Sequence, residues 1–219
     1  MQALADTVNG DYISIIVHTG GLNMEVSTSP QDGAAGRRLD GLPLSEIIEK
    51  FRSLEAPQIS ELDGEYVRTM VHADSRLVEF VARLGVSVPI HHWHAKAFRP
   101  ETATQGIGYN AMTVLGRPTR LYPMRTLVAP SRYDARPAFQ LVYGAFRSPL
   151  GALRAVDELR TLSPGVYLGL GHLGLTARQR KVPIAFVLEG PIAQYRGDIG
   201  TPVPGFEIGI RELPALGTR

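Results

Sequence analysis

The spacing of hydrophobic and polar positions changes character part-way along the chain. Leu44, Ile47, Ile48, Phe51 and Leu54 recur at helical intervals between Pro43 and Pro57, which predicts an amphipathic helix over 45–54. A second helix is expected where Asp74 or Ser75 caps an apolar face of Leu77, Val78, Phe80, Val81 and Leu84, with Gly85 at its end. Between the two, residues 62–68 read equally as a turn entering a short strand or as irregular helix. Residues 12–18 have the β-branched density of a strand, and the small polar stretch 27–36 reads as a loop, so residues 1–40 are expected to form a flexible N-terminal arm.

From Val86 onward, strand-like runs alternate with turn signals. The runs are 90–98, 109–115, 120–129, 138–145, 157–162, 166–172 and 184–188. Gly116-Arg117-Pro118 and Ser163-Pro164-Gly165 are short enough for hairpins, and sequential strands joined by short turns pair antiparallel. Residues 148–156 interrupt the rhythm as a short helix crossing one mouth of the sheet, and 206–210 is a candidate final strand. The expected fold is therefore mainly β with leading helices (α+β): one domain over 1–219, with an antiparallel meander over 86–191 curved into a lipocalin-like barrel. The two helices are expected to close one end.

Alternation within the runs points to an apolar interior. Val166, Leu168, Leu170 and His172 alternate with Tyr167, Gly169 and Gly171, so one face is bulky and the other partly bare. Such glycines allow sharp sheet bending or close approach of a neighbour. Whether the interior is an open pocket or a filled core turns on what stands opposite Gly144, Gly169 and Gly171.

Composition narrows the function classes. The chain contains no cysteine, which removes thiolate catalysis, disulfides and Cys-ligated zinc. No window approaches the ~18 apolar residues of a membrane span, and the N-terminus lacks the basic start and apolar run of a secretory signal, so a cytoplasmic location is expected. The 23 basic and 21 acidic residues are dispersed, and the one basic cluster, 178–181, reads as a solvated turn, so no nucleic-acid partner is expected. Only Lys50, Lys96 and Lys181 of the basic residues are lysine, a bias that fits a high-GC actinobacterial genome.

Three groups of residues are candidates for chemistry. In Pro89-Ile90-His91-His92-Trp93-His94-Ala95-Lys96, the imidazoles of His92 and His94 share a strand face, but no third ligand follows from spacing. No metal is assigned, and His92, His94 and Trp93 are read as ligand-binding residues. In Asp157-Glu158-Leu159-Arg160, alternation separates Asp157 from Glu158 and Arg160; a buried Asp157 would have a raised pKa suited to acid or base work, against a surface Glu158–Arg160 pair as the ordinary reading. Tyr143 and Tyr167 are catalytic candidates as phenols able to polarise a carbonyl, and Tyr109, Phe139 and His172 complete the candidate pocket lining. No phosphate-binding or dinucleotide-binding loop is present.

Two further stretches carry a resemblance. Leu62-Asp63-Gly64-Glu65-Tyr66 and Trp93-His94-Ala95-Lys96-Ala97-Phe98 resemble the motifs of a bacterial GXWXG-type family, Leu-x-Gly-x-Trp and Trp-x-Gly-Lys-x-Phe. Here Tyr66 stands for Trp, Arg68 for the second glycine and Ala95 for glycine. Arg154-Ala155-Val156-Asp157 and Leu168-Gly169 are similar to segments of the uncharacterised β-domain that trails it. The resemblance spans about 44–191 and implies a lipocalin-like β-fold with leading helices, without an activity to carry over.

The expected function is that of an enzyme of cyclase or isomerase type, without a cofactor, holding an apolar small molecule inside the barrel in a secondary-metabolite tailoring step. Position supplies the rate in such an enzyme. The alternative is a non-catalytic carrier of a lipid or other hydrophobic ligand. A homodimer is compatible with either.

Overall fold

The computed structural model describes residues 34–73, 91–172 and 182–217. Eight antiparallel strands form a closed barrel in simple sequential order: β1 Gly64–Met70, β2 His91–Pro100, β3 Gln105–Val114, β4 Arg117–Pro130, β5 Pro137–Val142, β6 Val156–Ser163, β7 Val166–His172 and β8 Ile184–Ala193. β8 pairs back with β1, which removes both free sheet edges. The mainly β, lipocalin-like expectation is thus observed, and the undecided stretch 62–68 supplies the first strand of the closure. The expected strand 12–18, most of the expected arm and the expected helix after Asp74 lie outside the described residues. Residues 206–210 are not a strand.

The register shows which face is inside. Tyr66 lies opposite Lys96, and Lys96 opposite Asn110; Leu141 faces Asp157, Asp157 faces Gly171, and Gly169 faces Phe186, which returns to Met70. These residues share the inner surface, because directly opposed residues point to the same side of a sheet. Lower in the barrel, Tyr66, Phe98, Met124, Phe139, Leu159, Tyr167 and Leu188 form a continuous apolar core. The turn Ile59–Glu61 and Leu62 plug that end: Ile59 and Leu62 join the core, and the Tyr66 hydroxyl donates to the Glu61 carbonyl at 3.1 Å.

Closure leaves no broad void at the glycines. A Cβ on Gly169 would stand 2.3 Å from the Phe186 ring, and one on Gly171 would stand 2.9 Å from Asp157 Oδ1. Gly144 faces outward, against Phe206 of the C-terminal tail. The bare face of β7 is therefore a set of notches, one filled by an aromatic ring and one by a carboxylate.

Helices α1 (Ala34–Leu39) and α2 (Leu44–Arg52) do not close a mouth. Leu39, Ile47 and Phe51 pack with Val71, Leu168, Leu170, Ala185 and Val187, which alternate with the inward set and so lie on the outer wall. The helical spacing was a sound guide to α2, but its apolar stripe covers the barrel's side. α1 falls inside the stretch expected to be arm and loop. The short helix α3 (Pro149–Ala152) follows β5, started by Ser148, whose hydroxyl accepts from Gly151 N at 3.0 Å. Among the described residues no helix is long and apolar enough to cross a membrane.

Candidate functional site

The apolar barrel holds a polar cluster built from three strands and the turn after β5. Lys96 of β2 points inward with its side chain fully buried, and its ammonium has three partners: Asn110 Oδ1 at 2.9 Å, Tyr143 OH at 2.5 Å and Asp157 Oδ2 at 2.8 Å. Three donors meet three acceptors, which satisfies the ammonium completely. Tyr143 stands in the 3₁₀ turn Tyr143–Ala145 just after β5; it accepts from Lys96 and donates to Asp157 Oδ2 at 2.9 Å. Asp157, 10% exposed in its side chain, occupies the notch left by Gly171.

Trp93 covers this cluster from the barrel end where β2 begins. By strict alternation Trp93 and Lys96, three residues apart, would face opposite sides. A β-bulge between Trp93 and Ala95 inserts His94 as an extra residue and turns Trp93 inward. The Lys96 ammonium then lies 4.2 Å from the Trp93 ring centre, and the Arg68 guanidinium 4.1 Å from it. Phe186 stands against the same indole at 5.8 Å.

Burial dominates the electrostatics of the cluster. Desolvation pushes the Lys96 pKa down to about 8, opposed by the charge and hydrogen bond of Asp157 and reinforced by the positive charge of Arg68. Desolvation also lowers Arg68, to about 10. Tyr143 is driven well above its ordinary 10.0 by burial first and by the Asp157 charge second. The phenol therefore remains protonated, positioned to pass a proton between a weakened ammonium and a carboxylate.

The structure brings together two of the three proposed catalytic residues, Asp157 and Tyr143. Tyr167 is four residues from Gly171 along β7, about 13 Å at the usual strand rise, in the plugged end against Tyr66. Phe139 also belongs to that apolar end, edge-on to Phe98. Trp93 takes part in the cluster, whereas His94 Nε2 bonds Thr113 Oγ1 at 2.8 Å; the His92 side chain lies outside the described residues.

Two expected lining residues face outward instead. Tyr109 donates to Glu65 Oε1 at 2.8 Å and packs on Tyr195 of the tail at 4.9 Å between ring centres. His172 lies on the outer wall, 2.6 Å from Tyr133 OH, under the loop between β4 and β5. The reading of Asp157 as the inward carboxylate is the one the structure shows. Glu158 and Arg160 do not pair with each other: Glu158 binds Ser131 Oγ at 2.5 Å and Arg132 Nε at 3.1 Å, and Arg160 binds Asp134.

Lys96, Asn110 and Arg68 were not singled out from sequence. The available signal was a lysine between Ala95 and Ala97 in a strand whose inner face also carries Phe98. A charged residue on an apolar strand face is seldom buried without a partner.

His172 carries a pH prediction. Burial, and then the charge of Arg132, hold its pKa well below 6.5, so the folded ring refuses a proton that the unfolded chain accepts. The unfolded state then binds more protons, and stability is full above pH 6.5 and falls as the pH drops below it. The expected slope is roughly 1.4 kcal/mol per pH unit below that point. Urea melts between pH 7 and 5 should show this slope in the wild type and lose it in His172→Gln.

The chain matches no known protein-family profile, and no curated protein is similar to it in sequence. Among solved structures, a protein from Thermomonospora curvata superposes with a TM-score of 0.43 at 13% identity, over 74% of this chain and 99% of that one.

Proposed function

We propose that this protein is an enzyme of cyclase or isomerase type that moves a proton on an apolar small molecule held against the Trp93 end of its barrel, as a tailoring step in small-molecule biosynthesis. The observation that carries this reading is the buried Lys96–Tyr143–Asp157 relay in an otherwise apolar interior. Burying an ion pair is costly, and apolar residues of similar size commonly do as well or better for stability. A perturbed lysine, a phenol and a carboxylate in one chain of hydrogen bonds are, in contrast, the components of acid–base catalysis. In the working reading, Tyr143 takes a proton from one carbon of the substrate as its own passes to Asp157, the reverse transfer returns a proton at another position, and the buried positive charge of Lys96 offsets the negative charge that develops between the two steps.

The test uses the protein's own ligand. Ligand extracted from purified protein and identified by mass spectrometry is returned to fresh protein in deuterium oxide. Conversion, or deuterium incorporation at carbon, is expected with wild type, slowed roughly 10²–10⁴-fold in Asp157→Asn and in Tyr143→Phe. Ligand recovered unchanged and free of deuterium from the wild type would make the protein a carrier.

A further inference from the structure

Among the described residues, Arg68 is the one inward cation near the cluster with an unanswered charge. Its place on the inner wall follows from register: it lies opposite Leu188, between Tyr66 and Met70 of the same face. Its guanidinium is stacked on Trp93, and Nη2 donates to the Trp93 carbonyl at 2.5 Å. The other two nitrogens, Nε and Nη1, are buried and have no hydrogen-bond partner among the described residues. Buried guanidinium donors are ordinarily satisfied, so two idle nitrogens on one side chain call for a reason.

The neighbouring carboxylates are engaged elsewhere. Asp157 is taken by Lys96 and Tyr143, and among the described residues Glu65 and Glu158, buried on the outer wall, and the partly buried Asp134 in the loop after β4 each lie beside their own arginine. Among the described residues, two cations and one anion therefore share the inner site, leaving one positive charge over. Burial already weakens Arg68 as a cation, and an arriving anion would reverse that. The surroundings, Met70, Trp93 and Phe186, are apolar, which selects against a bare, strongly hydrated ion.

We infer that the barrel's ligand is an amphiphile with a single carboxylate, which Arg68 receives through Nη1 beside Trp93 while the apolar body lies against Phe186 and Met70. This rests on the reading of the barrel as a small-molecule site and names the class of molecule. Trp93 covers both cations and is half-exposed, so its ring must shift for the carboxylate to reach the guanidinium. It is also the chain's single tryptophan, so its emission reports that event alone.

The experiment compares decanoate with decanol on the full chain at pH 7.5, with calorimetry for affinity and Trp93 emission for location. Decanoate is expected to bind roughly tenfold or more tightly than decanol and to change the emission, because the acid brings a charge opposite to the guanidinium where the alcohol is a neutral acceptor. Arg68→Gln should abolish the preference for decanoate over decanol, and Arg68→Lys should retain part of it. Equal binding of the two probes to wild type, or decanoate binding that leaves Trp93 emission unaltered, overturns the carboxylate assignment and leaves the small-molecule reading standing. Binding of neither probe overturns both. The wild-type comparison decides the matter even if Arg68→Gln does not fold.

Discussion

Lys96→Met is expected to destabilise the protein by about 3–5 kcal/mol, because it leaves the Asp157 carboxylate charged, 10% exposed and without its cation inside the barrel. The double variant Lys96→Met with Asp157→Leu should recover most of that loss. Leucine is close to aspartate in shape and fits the notch beside Gly171; Tyr143 keeps Asn110, whose Nδ2 already stands 3.4 Å from its hydroxyl. Denaturant midpoints of wild type, single and double variants measure this directly. A recovered double variant that has lost proton transfer would separate what the relay does from what the fold needs. A double variant as unstable as Lys96→Met would mean that the pair holds the barrel together.

Arg160→Met is expected to cost as much, about 3–5 kcal/mol, and to be beyond rescue by an apolar partner. Arg160 is fully buried on the outer wall, where its guanidinium grips Asp134 through two bonds of 2.7 and 2.8 Å. The same group donates to the carbonyls of Phe51, Arg52, Arg136 and Pro137 and lies over the Phe51 ring. It thereby ties the end of α2 and the loop after β4 to the barrel. Replacing Asp134 with leucine in addition removes the stranded charge but does not restore the bonds to the main chain: the carbonyls of Phe51, Arg52 and Arg136 each drop to the one donor left to them, Leu54 N, Arg136 Nη1 and Ser131 N, while Pro137 loses the Arg160 donor, and a buried carbonyl left unpaired costs about 1–3 kcal/mol. Thermal melts of Arg160→Met alone and with Asp134→Leu should therefore remain far below wild type, in contrast to the Lys96 and Asp157 pair. The expected contrast between buried Arg160 and buried Lys96 lies in whether the acceptors are main chain or side chains.

Much of the barrel was legible in the chain. The shift to strand-like runs after Val86 located seven strands, and the short turns required them to pair antiparallel; β1 was left open between strand and helix because residues 62–68 are too short for periodicity to separate the two. Asp157 and Tyr143 were found because a carboxylate and a phenol in apolar strands are conspicuous. Lys96 was passed over although it sat in the stretch that drew most attention, since the histidines beside it suggested metal chemistry and a lone lysine on a strand is ordinarily at the surface. Tyr109 and His172 were assigned to the pocket for the opposite reason: both are buried, but under the tail and the loop after β4, and sequence does not distinguish burial inside the barrel from burial beneath a covering segment.

The sequence by itself determined the class of the fold and which residues share a face within each strand, because side chains alternate with a period of two whatever the strand's neighbours are. It did not determine which of the two faces was the inside. That was decided by closure of β8 onto β1, which placed Lys96, Asn110 and Asp157 on one inner surface from three separate strands, and by the bulge at His94, which reversed the alternation so that Trp93 joined them. A one-residue insertion in a strand changes every side chain's facing beyond it, and only the paired strand opposite shows where the insertion falls.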